Sequence, residues 1–387
     1  MERVHSQQLL KSINQQKILQ LIFKKGPIFR AELAKQSGLT QQTVTNIVNR
    51  LLEEEIVVEG EPISGRGGRK PVPLTVNEGS LYAIGIEVAV KYVRGILVNF
   101  KNEPLAKSEL QEFVFENEDD FLGCICRVID GLMRRVPNLE KLKGIGISIQ
   151  GLVDSKEGVL ISASWLKRFS RIGIKKELEK KYPVPVYVEN DVNLLAIIEV
   201  LEGRLADSTN SITLKLDYGV GGAIVIGKQL YDGSSHVAGE FGHYKAFRGE
   251  YAHPCHCGSY GCLTTLASVS GLRNNMKLSL EEFNDRLRSG EESANRLFNE
   301  IQEAVGLSLS NIVTFLNPDH VLLTGKMIAV LGDLLVPAIQ RRLFSTIPES
   351  CKGLKFLHVP ELVDEPALSA ALVKYHFFEI PLESLSL

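Results

Sequence analysis

The sequence predicts an α/β protein: a body of two similar halves behind a small, basic, helical head. Three observations predict it. From about residue 81 strand-like and helix-like segments alternate, the pattern of the α/β class. Within that body LYAIGIEVAVKYVRGILVNFKNEPL (81–105) and NSITLKLDYGVGGAIVIGKQLYDG (210–233) both read strand, turn, strand, turn, strand. A duplicated fold follows, with a cleft between lobes where a ligand would go. Residues 1–52, finally, hold eight Lys/Arg against two acids, a charge of +6, so the chain total of −2 leaves −8 on the rest. A basic head on an acidic body predicts a head that meets a polyanion.

At 387 residues the chain exceeds what one core supports, so two or three domains are expected. Its 44% apolar content is that of an ordinary globular protein, and no run of about 18 apolar residues reads as a membrane span. The start, MERVHSQQLL, has no apolar stretch of signal-peptide length. The expectation is a cytoplasmic protein with reduced cysteines, in which clustered cysteines read as metal ligands before disulfides.

The head reads as three short helices over 15–52. QQKILQLIFKKG groups Ile18, Leu19, Leu21, Ile22 and Phe23 ahead of a Gly26-Pro27 stop. FRAELAKQSGL places Leu33 and Ala34 on one face and ends at Gly38. TQQTVTNIVNRLLEE opens on Thr40 as an N-cap, and Val44, Ile47, Val48 and Leu51 form its apolar stripe. Helix, glycine turn and a helix rich in uncharged hydrogen-bonders is the helix-turn-helix pattern. Gln41, Gln42, Thr43, Thr45 and Asn46 are its candidate DNA-reading residues, since Gln and Asn pair bidentately with adenine edges. VVEGEPISGRGGRKPVPLTV then alternates like a strand, breaks at GRGGRKP and resumes. That is a wing whose Arg66 and Arg69 suit a minor groove or phosphates.

In the body, further strands are expected at 142–149, 184–191, 320–325 and 354–359. Helices are expected at 118–135, 191–204, 268–277, 291–316, 329–345 and 366–379. The most distinctive stretch is HPCHCGSYGC (253–262), which holds three of the six cysteines. C-x-C-x4-C on a glycine-bent loop supplies three thiolates, and a fourth ligand would complete a tetrahedral zinc site. His243, His253 and His256 compete for that place, and a strained CxC disulfide is the redox alternative. Cys124 and Cys126 read as small buried apolar residues.

VENDVN (188–193), AGEFGH (238–243), CHCGSYGC (255–262) and LNPDHVLLTG (316–325) resemble, in order and spacing, the ROK family of sugar kinases and sugar-responsive repressors. The head, with SGRGGRKP (64–71), resembles the family's repressor branch, which includes the xylose and N-acetylglucosamine repressors. The resemblance implies an actin-like, ribonuclease H-like two-lobe body with an N-terminal winged helix-turn-helix. The domains would be 1–78 for the head, 79–190 for the first lobe with the C-terminal helix (366–387) packing back on it, and 191–365 for the second lobe. It implies structural zinc on His243, Cys255, Cys257 and Cys262, with His243 using its second ring nitrogen toward a sugar. It also implies sugar contacts from Asn190, Asp191, Glu240 and His243, Asp191 matching the kinases' general base and reading otherwise as a helix N-cap.

Several positions depart from the kinase pattern. Where the kinases carry a D-x-G-G-T type phosphate loop, this chain reads GIEVAVK, Glu87 to Lys91 replacing its aspartate and glycines; DYGVGGA (217–223) keeps the second loop only in part. Gln150 stands for a proline, Ser164-Trp165 for a Pro-Asn, and Thr264 for a sugar-touching glutamate. Trp165 reads as a sugar-stacking or a core residue. The expectation is a sugar-responsive, DNA-binding repressor of carbohydrate-utilisation genes, xylose metabolism among them, a homodimer or homotetramer, and not an enzyme. The alternatives are an active sugar kinase with a DNA-binding head, and a repressor controlled by a protein partner.

Overall fold

The computed structural model describes residues 2–62, 71–111, 117–166, 170–247 and 252–378. The head holds three helices, α1 (Glu2–Lys25), α2 (Arg30–Ser37) and α3 (Gln41–Glu53), so the first begins well ahead of the expected residue 15. Thr40 caps α3, its hydroxyl accepting from the Thr43 N–H at 3.2 Å, and Val44, Ile47, Val48 and Leu51 are all buried. The wing strands β1 (Val57–Glu59) and β2 (Leu74–Val76) pair antiparallel with Val57 opposite Val76. Arg66 and Arg69, at the wing tip, lie outside the described residues.

The body runs on as β3 (Tyr82–Val88), β4 (Tyr92–Asn99), β5 (Pro104–Gln111), α4 (Glu118–Met133) and β6 (Leu142–Ile149). A small hairpin, β7 (Leu152–Asp154) and β8 (Val159–Ser162), precedes α5 (Ile174–Lys181), β9 (Val186–Asn190) and α6 (Asp191–Glu202). Then come β10 (Ser211–Leu216), β11 (Val220–Ile226), β12 (Gln229–Leu230), α7 (Val269–Met276), α8 (Leu280–Arg288) and α9 (Glu292–Leu316). The chain ends through β13 (His320–Thr324), α10 (Lys326–Thr346), β14 (Lys355–His358) and α11 (Glu365–Phe378). Among the described residues no helix is long and apolar enough to cross a membrane.

The duplication is visible in the sheets. One five-stranded sheet runs β5-β4-β3-β6-β9 and the other β12-β11-β10-β13-β14, the same order when each set is ranked along the chain. Each opens as an antiparallel meander and continues with a parallel neighbour of its first strand, β6 beside β3 and β13 beside β10. Two compact units result. The first holds Met1–Ile149, Gly173–Val188 and Glu365–Leu387; the second holds Gln150–Ile172 and Glu189–Asp364.

In the first unit α11 lies on the sheet's face. Gly146 of β6 makes room for it: a Cβ there would stand 1.8 Å from the Ser369 carbonyl oxygen. The head shares this unit's core. Ile18, Leu19, Ile22, Leu33 and Val44 belong to one buried cluster with Ala83, Ile96, Val98, Phe100, Ala370 and Val373. Phe23 of α1 stacks on Phe100 at 5.4 Å between ring centres and meets Phe378 of α11 at 5.4 Å. The buried Lys374 ammonium donates to the Asn99 carbonyl at 2.8 Å and to the Phe100 carbonyl at 3.2 Å.

In the second unit β10 and β13 are buried along their whole length. Ile212, Leu214 and Leu216 join Val321 and Leu323 in a core with α9 and α10. Ala223, Val225 and Leu322 pack on the other side with Val192, Ala196 and Val200 of α6. Strand alternation therefore turns Ser211, Thr213 and Lys215 toward α6.

Candidate effector and DNA-reading sites

The β9-to-α6 junction builds the first part of the site. Asn190, not Asp191, caps α6: its Oδ1 accepts from the N–H groups of Val192 (2.9 Å) and Asn193 (3.1 Å), and its Nδ2 donates to the Gly151 carbonyl (2.8 Å). Asp191 is thereby left as the first helical residue. Its Oδ2 takes a 2.8 Å ion-paired hydrogen bond from Nζ of Lys215, which is equally buried. Glu189, one residue before the cap, is buried and accepts from the Asn190 N–H at 2.8 Å and from Asn193 Nδ2 at 3.3 Å. Burial nevertheless pushes its carboxyl up to about 7, with the charge of Asp232 adding to the rise. Neither Lys215 nor Glu189 was singled out by the sequence reading.

The segment Ala238–His243 supplies the rest. Gly242 lets it lie on β11, since a Cβ there would stand 2.2 Å from the Val220 carbonyl oxygen. Glu240 is partly exposed, and burial followed by the charge of Asp191 lifts its carboxyl above its ordinary value. His243 is held between two partners: Nε2 lies 3.7 Å from Oε2 of Glu240, and Nδ1 lies 3.7 Å from Sγ of Cys255. Its burial, then the neighbouring His256 and Lys245, hold its pKa below the ordinary value and keep the ring neutral.

Cys255, Cys257 and Cys262 complete a cluster with His243 in which all four ligand atoms lie within 4.8 Å of one another, a set able to hold a metal ion. Sγ of Cys257 and Sγ of Cys262 are 3.7 Å apart. Lys245 brings its ammonium 2.8 Å from Sγ of Cys262. Burial pushes the Cys255 thiol up to about 11, whereas the Cys257 thiol, against its partial burial, is held below its ordinary value by hydrogen bonds from the Ser259 N–H and the neighbouring cysteines and by the charge of Lys245. Of the competing histidines, His253 is exposed, and His256 puts Nδ1 3.8 Å from Cys255 Sγ at the cluster's edge. Away from this cluster Cys124 is buried, and Cys126 only partly so.

Three departures from the kinase pattern have structural counterparts. The buried Glu87 is occupied by its own hairpin: the Tyr92 hydroxyl donates to it at 2.9 Å and Arg94 pairs with it. Thr264 turns its hydroxyl to the backbone, accepting from the Val220 N–H at 3.1 Å. Trp165 donates its indole N–H to the Gln150 carbonyl at 2.8 Å. In the head, Gln41, Gln42 and Asn46 are exposed on α3 while Thr43 and Thr45 are partly covered. Gln42 donates to the Asn46 amide oxygen at 3.1 Å, and the Thr45 hydroxyl is satisfied by the Gln41 carbonyl at 2.8 Å.

The ROK family profile matches residues 83–371, three quarters of the chain. The chain belongs to the ROK family. Residues 11–58 match a winged helix-turn-helix DNA-binding profile. This ROK protein is 29% identical over 332 residues to the xylose repressor of Bacillus subtilis, covering 84% of this chain and 85% of that one. It is 25% identical over 350 residues to the DNA-binding transcriptional dual regulator NagC of Escherichia coli, covering 86% and 84%. Among solved structures, a ROK family transcriptional regulator described as a homologue of the E. coli MLC protein superposes with a TM-score of 0.80 at 24% identity, over 96% of this chain and 97% of that one. A ROK glucokinase from Streptomyces griseus superposes at 0.62 and 21% identity, covering 76% of this chain and 99% of that one. At these identities the structural likeness establishes the actin-like body and its winged head as a fold.

Proposed function

We propose that this ROK protein is a sugar-responsive, DNA-binding transcriptional repressor of carbohydrate-utilisation genes, without kinase activity. The reading is carried by a winged head fused to a kinase-like body whose GIEVAVK segment departs from the kinases' first phosphate loop. Glu87, where the kinases place a metal-serving aspartate, is consumed by Tyr92 and Arg94, and Val88 to Val90 stand where glycines would admit phosphate. Relatives named xylose repressor and N-acetylglucosamine repressor, matched over more than four fifths of the chain, support the same reading.

Gln41, Gln42, Thr43, Thr45 and Asn46 of α3 would enter the major groove, while Arg66 and Arg69 follow phosphates or the minor groove. A homodimer or homotetramer would set two such helices about one DNA turn apart. Asn190, Asp191, Glu240 and His243 would hold the sugar's hydroxyls through paired hydrogen bonds. His243, Cys255, Cys257 and Cys262 would hold a structural zinc ion. The 3.7 Å between the Cys257 and Cys262 sulfurs is close to the roughly 3.8 Å edge of a tetrahedron with Zn–S near 2.3 Å, all four ligand atoms lie within 4.8 Å, and four protein ligands would leave no open position. The neutral His243 ring, anchored at Nδ1, then presents Nε2 toward Glu240 and the sugar.

Fluorescence anisotropy on promoter DNA, with D-xylose, N-acetyl-D-glucosamine and other monosaccharides added in turn, tests the proposal. The expected result is sequence-selective binding at moderate salt that one sugar shifts, with no ADP release from Mg-ATP. Binding that ignores DNA sequence refutes the repressor reading, and sugar-dependent ADP release refutes the loss of kinase activity. DNA binding that no sugar shifts would transfer control to a protein partner.

A further inference from the structure

We propose that Lys215 is a positioning residue for the effector: it holds Asp191 in place as a hydrogen-bond acceptor for the sugar. The inference rests on the effector-site reading above. A lysine in the centre of a sheet is out of place in SITLKL, where every residue is buried. Alternation turns it to the α6 side with Ser211 and Thr213, and there its Nζ meets Oδ2 of Asp191 at 2.8 Å. Both side chains are about nine-tenths covered, at 8% and 11% exposure. Burying two charges this deep is costly unless they are paired, so the ion pair ties the two side chains to each other. Asp191 also stands in the first turn of α6, where the helix dipole favours a carboxylate.

The pair divides the work of the aspartate's two oxygens. Oδ2 is engaged by Lys215, which prevents the carboxylate from turning, and Oδ1 keeps a fixed direction for a ligand hydroxyl. Acceptors fixed before binding save the ordering cost of a mobile side chain. A carboxylate held in this way, with one oxygen already occupied, suits a residue that binds a hydroxyl.

The test is a double-mutant cycle on sugar affinity in the full-length, zinc-loaded protein, with whichever of D-xylose, N-acetyl-D-glucosamine and D-glucose the wild type binds best. Lys215→Met in the wild-type background should weaken binding at least about tenfold, the loss of one hydrogen bond to a charged group. In the Asp191→Asn background, where Lys215 has no carboxylate to hold, the same change should alter affinity by less than about threefold. Equal losses in both backgrounds overturn the inference, because Lys215 would then act independently of Asp191. So does a folded Lys215→Met protein that binds like the wild type. If Lys215→Met alone does not fold, the comparison passes to Asp191→Asn against the double variant, which leaves no lone buried charge. Ligand-observed NMR follows weak binding there, and a difference above about threefold overturns the proposal. A wild type that binds none of the three sugars overturns the effector-site reading itself, and this inference with it.

Discussion

Glu189→Gln isolates the buried carboxyl near the end of β9. Glu189 is 5% exposed, and its pKa rises from an ordinary 4.5 to about 7. The folded state therefore holds this proton more tightly than the unfolded chain does. Its contribution to stability is complete below the unfolded value and is lost as pH rises through the folded one. The interval corresponds to roughly 3 kcal/mol at full ionisation, of which about 2–3 kcal/mol falls between pH 5 and pH 8. Glutamine keeps an oxygen for the N–H groups of Asn190 and Asn193 and never ionises. Urea unfolding can be followed through Trp165, the chain's single tryptophan, which lies in the same unit. The stability difference, variant minus wild type, should grow in the variant's favour by that amount from pH 5 to pH 8. Subtracting the wild type at each pH cancels the titration of the cysteines, histidines and other carboxylates. A difference that stays constant refutes the reasoning, as does a variant that loses ground at high pH.

Three further outcomes follow from the same structure. Cys257→Ser should remove the metal: elemental analysis should fall from about one zinc per chain to none, with a lower melting temperature, and zinc retained would refute the ligand set. Phe100→Ala, at a fully buried ring touching Phe23, Phe377 and Phe378, should destabilise the first unit by about 3–5 kcal/mol in chemical denaturation. Gln42→Ala with Asn46→Ala should lower the preference for operator over random DNA by about 1–3 kcal/mol while the salt dependence of binding stays unchanged, measured by anisotropy at several salt concentrations.

What was legible in the sequence is what periodicity and punctuation encode. The α3 stripe, the wing strands, the doubled meander and the long helices of the body all carry strong apolar periods or Gly and Pro stops, and their observed bounds fall close to expectation; α1 is the exception, starting at Glu2 where the polar ERVHSQQ gives no apolar period. The hairpin β7–β8 and helix α5 were missed because they are short. In IKKELEKK only Ile174 and Leu178 are buried, too few residues to make a period. Helix α8 did carry a signal, the Ser279–Glu282 capping box, which was passed over. The cysteines of the His243 cluster were legible because Cys255, Cys257 and Cys262 are neighbours in sequence. The Asp191–Lys215 pair was not, because it joins residues on different elements and only folding brings them together. The hint was a charged residue inside an otherwise apolar strand, which demands a partner without naming it. The capping of α6 also required coordinates, since Asn190 and Asp191 are both good N-cap residues and only the backbone shows which one holds that place.

The sharing of one core by the head and the first unit bears on modularity. A domain that can be exchanged between proteins has its own interior and a seam few contacts cross. Here the seam would run through a fully buried ring: Phe100 belongs to the body, yet it is stacked on Phe23 of the head and on Phe378 of α11. Cutting the chain after the wing would strip Ile18, Ile22 and Phe23 of their neighbours and leave an apolar wound on both pieces. A chimera that borrows this DNA-reading head must therefore carry the β4–β5 corner and the C-terminal helix with it. Transplanted alone, the head would keep its recognition surface and lose the interior that supports it.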